Sequence, residues 1–253
     1  MRLSKIALGL GFALAAATVA NTASAAKFTI DYRHDFRSEY SQNFDRICLI
    51  GAFDNGVGFY VDSSFKSGSE GPTDSRYNEG QWGDFVTNAT EMSLWWGYKI
   101  DGTGFTVTPG IITESTSGVT AYKPYLRLQY NTDFGLWFAV RPRFDYTRND
   151  TYSTDKKTKK EINNPDTQNG RIDAWVGYNQ GNFGINYNYT YMWVLESGDR
   201  KMFDNKDHNY EQNLAMNYRM GQWNPYIEFG DIGVDTTSDK RQLRFRAGIQ
   251  YTF

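Results

Sequence analysis

The sequence predicts an all-β chain, a transmembrane antiparallel β-barrel of about twelve strands with short periplasmic turns and longer extracellular loops. Three observations predict it. A secretory leader opens the chain, apolar and polar residues alternate from residue 27 onward, and the connections between the alternating segments differ systematically in length.

The leader comes first. Arg2 and Lys5 precede an apolar run from Ile6 to about Ala20, and Ala23-Ser24-Ala25-Ala26 closes it with small residues. This is the three-part layout of a signal peptide, so residues 1–26 are expected to be cleaved and 27–253 to form one barrel domain. The apolar run is shorter than the roughly 20 residues that a helical membrane span needs. Removing Arg2 and Lys5 from 27 Lys+Arg, against 29 Asp+Glu, leaves a formal charge of −4. That excludes the basic excess of a nucleic-acid binder. The single cysteine, Cys48, excludes an intramolecular disulfide framework.

The strands follow from period-two patterning. Phe28, Ile30 and Tyr32 interleave with Thr29, Asp31 and Arg33 in the first. The clearest sets Phe183, Ile185, Tyr187, Tyr189, Tyr191 and Trp193 against Gly184, Asn186, Asn188 and Thr190. Strands are expected at 27–36, 43–53, 57–66, 85–99, 105–114, 121–130, 135–147, 171–179, 183–194, 209–220, 223–231 and 241–253. Most match the 9 to 11 residues of a tilted membrane strand. Short connections lie at Asp54-Asn55-Gly56, Asp101-Gly102-Thr103-Gly104, Asn131-Thr132-Asp133, Gln180-Gly181-Asn182 and Gly221-Gln222, where Gly, Asn and Asp supply hairpin geometry. Longer polar ones cover about 67–84, 148–170, 195–208 and 232–240. Aromatics form 17% of the chain, as interfacial girdles require. A secreted sandwich would bury its apolar faces instead of displaying so many Phe, Tyr and Trp. The last strand ends on Tyr251-Thr252-Phe253, an ending that resembles the signal read by bacterial barrel-assembly machinery. Outer-membrane lipid and lipopolysaccharide are the expected surroundings.

The face opposite the apolar one must line the interior. It carries Arg33, Arg46, Arg127, Arg141, Arg143, Arg171, Arg219, Arg244 and Arg246. Counted from the short-turn ends, Arg33, Arg141, Arg143, Arg171, Arg244 and Arg246 fall about six to nine residues up their strands, with Arg127 slightly lower. Strands six to eight hold one group, and strands twelve and one hold another. In a twelve-strand ring these groups face each other, which makes two basic tracks for a polyanion. Arginine suits this because its planar fork binds carboxylates bidentately and keeps its charge. Tyr60, Trp95, Tyr125 and Tyr226 share the inner face and offer surfaces for sugar rings. Asp31, Asp62, Glu91, Glu114, Asp145, Asp173, Glu211 and Glu228 also project inward. An inert ion-pair lattice is therefore the competing reading, and the acids are expected to be spread in depth where the arginines cluster.

Other residues point elsewhere. Lys156, Lys157, Lys159 and Lys160 sit in the longest loop, which is expected to be solvated or to touch lipopolysaccharide, with steering of anions to the mouth as the alternative. His34 and His208 lack metal-ligand spacing and are expected at the surface or in a girdle. No catalytic constellation and no cofactor are expected, though a non-conducting structural or enzymatic barrel stays open as an alternative.

The same segments carry a family likeness. Ile30-Asp31-Tyr32-Arg33-His34, Lys123-Pro124-Tyr125-Leu126-Arg127, Arg141-Pro142-Arg143-Phe144, the run Trp223 to Gly230 and the run Arg244 to Phe253 together resemble the oligogalacturonate-specific porins, the KdgM/NanC type. The resemblance implies a monomeric twelve-stranded barrel whose arginine-rich lumen passes acidic oligosaccharides, typically pectin fragments. Arg33, Arg127, Arg141, Arg143, Arg244 and Arg246 lie in the matching segments. Arg171 and Arg219 rest on the strand count. Sialic acid and alginate oligomers stay open as cargo.

Overall fold

The computed structural model describes residues 26–39, 41–67, 86–150, 152–154, 160–196 and 198–253. The leader up to Ala25, the loop from residue 68 to 85, and Lys156, Lys157 and Lys159 lie outside these residues.

Alternation becomes twelve antiparallel barrel strands. In chain order they are β1 (Lys27–Arg37), β2 (Gln42–Ala52), β3 (Val57–Ser67), β4 (Val86–Trp96, continued by Tyr98–Lys99), β5 (Phe105–Thr116) and β6 (Val119–Asn131). There follow β7 (Leu136–Asn149), β8 (Thr167–Gln180), β9 (Phe183–Val194), β10 (His208–Tyr218), β11 (Trp223–Gly233) and β12 (Arg241–Thr252). Each pairs with its sequence neighbour, and β1 pairs with β12 through Arg33–Gly248 and Ile30–Tyr251, so the sheet closes. Closure leaves no edge of unpaired N–H and C=O groups, which hydrocarbon cannot satisfy. A register shift at Ser64/Phe65 bends β3 against β4.

The molecule is inverted relative to a soluble domain. Its apolar side chains are exposed, Leu94 at 58% and Ile47 at 56%, while Asp173 is 0% and Thr190 1% exposed. Only lipid outside and polar groups inside make that distribution stable. Aromatics gather at both ends of the wall. Phe105–Tyr130 and the Trp223–Tyr251–Phe253 group lie at the short-turn end. Tyr189–Tyr210 and Tyr191 with Trp193 and His208 lie at the other. His208 thus joins a girdle. His34 faces outward on β1, its ring Nδ1 3.1 Å from Asp45 Oδ1, which also accepts a 2.6 Å bond from Tyr32 Oη.

All five short turns carry a glycine at positive φ, namely Gly56, Gly102, Gly135, Gly181 and Gly221. The opposite end departs from the expected lengths. Only four residues separate Arg37 of β1 from Gln42 of β2 there, and a tight turn at 117–118 joins β5 to β6. β7 and β8 run on to Asn149 and back to Thr167, beyond the expected 147 and 171. Their extensions are polar on both faces (Arg148 and Gln168 on one, Asn149, Thr167 and Asn169 on the other), so hydrophobic alternation fades while the ladder continues, with Thr147 opposite Thr167. A small hairpin, Tyr152–Thr154 with Glu161–Asn163, lies in the expected 148–170 loop.

Candidate functional site

Register decides which inward side chains meet. Arg33 lies opposite Arg46 on β2, Arg143 opposite Arg171, and Arg141 opposite Asp173. Two basic walls result. One, on β12, β1 and β2, carries Arg244, Arg246, Arg33, Arg37 and Arg46. The other, on β6, β7 and β8, carries Lys123, Arg127, Arg141, Arg143 and Arg171. The walls are six strands apart in a ring of twelve, so they are diametrically opposed.

Most of this charge is answered locally. Arg46 bonds Asp31 and lies 3.6 Å from Asp62. Arg246 reaches Asp35 at 2.6 Å and Glu228 at 2.7 Å. Arg244 donates to Asn213 at 2.6 Å and lies 3.4 Å from Glu211. On the other wall Arg143 holds Asp145 at 2.6 Å. The fully buried Asp173 is shared by Arg141 at 3.0 Å and Arg171 at 2.7 Å, with the Thr190 hydroxyl donating to it at 2.7 Å. The expectation of acids spread in depth therefore fails. They sit at the arginines' level, because a low-dielectric wall stabilises a guanidinium that meets a carboxylate.

Two arginines stand apart. Arg33 and Arg127 ion-pair with no carboxylate among the described residues, and the Nε of each is buried without an acceptor. Arg127 donates to Gln129 at 2.7 Å and stacks over Trp175, 4.8 Å from the ring centroid. Arg141 lies over the same ring and over Tyr125, 5.3 Å from each centroid. Cations over aromatic faces keep their charge available to a third partner. Arg33 is on strand one and Arg127 on strand six, so the two uncommitted cations belong to the two opposing walls.

The remaining expected residue falls elsewhere. Arg219 lies past the end of β10 in the turn, exposed, its backbone N–H bonded to Asn182 O at 2.8 Å. It borders the short-turn mouth, outside the mid-height group, because β10 ends one residue before it.

The inward aromatics lie flat on the wall. A Cβ on Gly110 would sit 2.4 Å from Tyr125 Cζ, and one on Gly248 would sit 2.4 Å from Tyr226 Cζ. Glycine at these two positions lets each ring drop onto the neighbouring strand and keeps it out of the passage. Tyr226 Oη then donates to Asp31 at 2.9 Å, and Tyr60 Oη to Glu91. Trp175 and Lys123 are site residues that sequence reasoning passed over. Lys123 Nζ bridges Glu114 at 2.8 Å and Glu91 at 3.3 Å. The alternation Arg171, Asp173, Trp175 did place Trp175 on the inner face.

Comparison with known proteins places this lumen in a family. The family described as oligogalacturonate-specific porin protein (KdgM) matches residues 19–253. The chain belongs to the KdgM family of outer-membrane porins. Protein YiiY of Salmonella typhimurium is 32% identical over 225 residues, covering 88% of this chain and 89% of its own. The oligogalacturonate-specific porin KdgM of Dickeya dadantii is 30% identical over 234 residues, with 89% and 91% covered. The solved NanC porin superposes with a TM-score of 0.67 at 20% identity, covering 88% of this chain and 98% of NanC, a likeness of fold. This chain is accordingly an outer-membrane protein.

Proposed function

We propose that the barrel is a passive, anion-selective channel for acidic oligosaccharides, with oligogalacturonates from pectin the first cargo to test. The observation that carries this reading is the pair of uncommitted guanidiniums, Arg33 and Arg127, on opposing basic walls. A carboxylate arriving between them meets guanidiniums that no described acid holds, Arg127 being engaged only by the neutral Gln129, whereas the other arginines must first give up an acid. The fork of Arg127, backed by Trp175, binds a carboxylate in one plane. The remaining proposed path residues, Arg141, Arg143, Arg171, Arg244 and Arg246, supply a positive background around these two, and Arg219 borders the periplasmic mouth.

The relatives' names support the cargo class: KdgM is called oligogalacturonate-specific, and NanC of Escherichia coli an N-acetylneuraminic acid channel. Sialic acid and alginate oligomers present the same carboxylates and are the alternative cargoes. No catalytic step forms part of the proposal. We further propose that residues 1–26 are a cleaved leader, that the barrel acts as a monomer, and that its girdles sit among outer-membrane lipid and lipopolysaccharide after delivery by barrel-assembly machinery.

Liposome uptake tests the reading. Vesicles holding the protein are expected to take up trigalacturonate faster than a neutral trisaccharide of equal length. Equal uptake of the two would overturn it.

A further inference from the structure

We infer that the wall built by β9, β10 and β11 is the part of the channel that reads sugar hydroxyls, through a descending ladder of asparagines. The inference rests on the channel reading above and adds to it a track for the neutral part of the cargo.

The four sectors of the ring differ in chemistry. Between the two basic walls lie β3–β5 on one side and β9–β11 on the other, again six strands apart. The β3–β5 sector presents Asp62, Glu91, Ser93 and Thr108 inward. Among the described residues it carries no amide between the shift at Ser64 and the short turns. The β9–β11 sector presents Asn186, Asn188, Asn213, Asn217 and Asn224. Its two mid-wall acids, Glu211 and Glu228, are engaged by Arg244 and Arg246 of the next strand.

An amide differs from its neighbours in having two donors and an acceptor with two lone pairs on one short arm. A pyranose hydroxyl both donates and accepts. Guanidiniums only donate and carboxylates only accept, so neither satisfies a hydroxyl fully. The asparagines do.

Placement supports the assignment. Asn188 and Asn213 face each other at arginine height, Asn213 donating to Asn188 at 3.2 Å and accepting from Arg244 at 2.6 Å. Lower down, Asn217 donates to Asn224 at 2.9 Å, which donates to Gln250 at 2.9 Å. Asn188 is also held by the wall, donating to Ala174 O at 3.1 Å and accepting from the Thr190 hydroxyl at 3.4 Å, so the upper pair anchors the ladder. In the lower pair each bond uses one N–H and one lone pair and leaves the rest of the amide to the lumen. Asn186 lies between the two groups. It is half-buried, its backbone pairs in the ladder, and its side chain makes no hydrogen bond to any described residue. A ladder that served only to pin strands together would have no use for it. Together these amides lead from the charged constriction to the periplasmic exit, where a cargo whose carboxylates have left the arginines still needs partners.

The test uses the full-length barrel in planar bilayers, with trigalacturonate as the blocking probe and the potassium chloride reversal potential as a second readout. Asn186→Ala alone is expected to raise the blocking concentration about fivefold, the loss of roughly one net hydrogen bond. The triple variant N186A/N217A/N224A is expected to raise it further. Neither changes the reversal potential, since no charge is altered. The control T106V/T108V removes hydroxyls from the opposite wall and is expected to block like the parent. Unchanged block in both amide variants, or an equal weakening in the control, overturns the inference. If the triple variant does not fold, Asn186→Ala decides alone, because its side chain bonds to no described neighbour. An unaltered barrel that trigalacturonate does not block would defeat the channel reading itself, and the inference with it.

Discussion

Removing the two uncommitted guanidiniums, in the variant R33S/R127S, is expected to lower anion selectivity far more than removing a matched ion pair. An ion on the axis of a barrel this size lies about 6 Å from each guanidinium. At the dielectric of water that separation gives about 0.7 kcal/mol per charge, and screening in 0.1 M salt reduces it to about 0.4 kcal/mol. The sign is opposite for potassium and chloride, so two charges change their relative energy by about 1.5 kcal/mol, or roughly tenfold in permeability ratio. The comparison variant R143S/D145S deletes an arginine and the carboxylate it holds at 2.6 Å. The lumen then loses one charge of each sign, and the ratio should move less than about twofold. The assay is the reversal potential across a potassium chloride gradient, with heat-modifiability confirming folded barrels. If the two variants shift the ratio alike, the distinction between committed and uncommitted arginines is wrong.

Three further outcomes follow from the same contacts. Asp173→Asn leaves Arg141 and Arg171 without their shared carboxylate. Both are about one-fifth exposed to the lumen, so water recovers part of the loss, and urea unfolding should show about 1–3 kcal/mol of destabilisation. Gly248→Val forces the Tyr226 ring off the wall, given a Cβ position 2.4 Å from its Cζ, and single-channel conductance should fall. In the loop after β9, Arg200 bonds the Glu196 carboxylate and holds it at about 2, below the ordinary 4.5, while Glu196 Oε2 accepts from Gln168 N at 2.8 Å. A depressed carboxylate stabilises above its unfolded value and loses that contribution as pH falls from about 4.5 toward 2. The protection factor of the Gln168 amide, its exchange rate divided by the intrinsic rate at each pH, should fall in that window and hold above it.

The fold was legible because period-two patterning is local. All twelve strands fall where alternation and turn residues put them. Boundaries failed where the wall leaves lipid. In β7 and β8 the polar extensions around Thr147 and Thr167 remain hydrogen-bonded strands, but nothing apolar marks them. The near partners, Asp145 beside Arg143 and Asp173 beside Arg171, lie two residues away on the same face and were legible, but the distant ones were not. Arg246 meets Asp35 across 211 residues of sequence and Glu228 across 18, and neither distance leaves a mark in the pattern. Depth misled for the same reason. The acids look spread along the chain, yet register brings Asp31, Asp35, Asp173 and Glu228 to the arginines' level. The amide ladder was visible as Asn186 and Asn188 in the clearest strand, but its meaning waited on Asn213, Asn217 and Asn224 arriving beside them.

The reversal potential of the unaltered protein in a potassium chloride gradient tests the central claim most directly. Opposing basic walls with Arg33 and Arg127 uncommitted predict a channel that prefers chloride, and a preference that weakens as salt screens the lumen. A preference for potassium would contradict it.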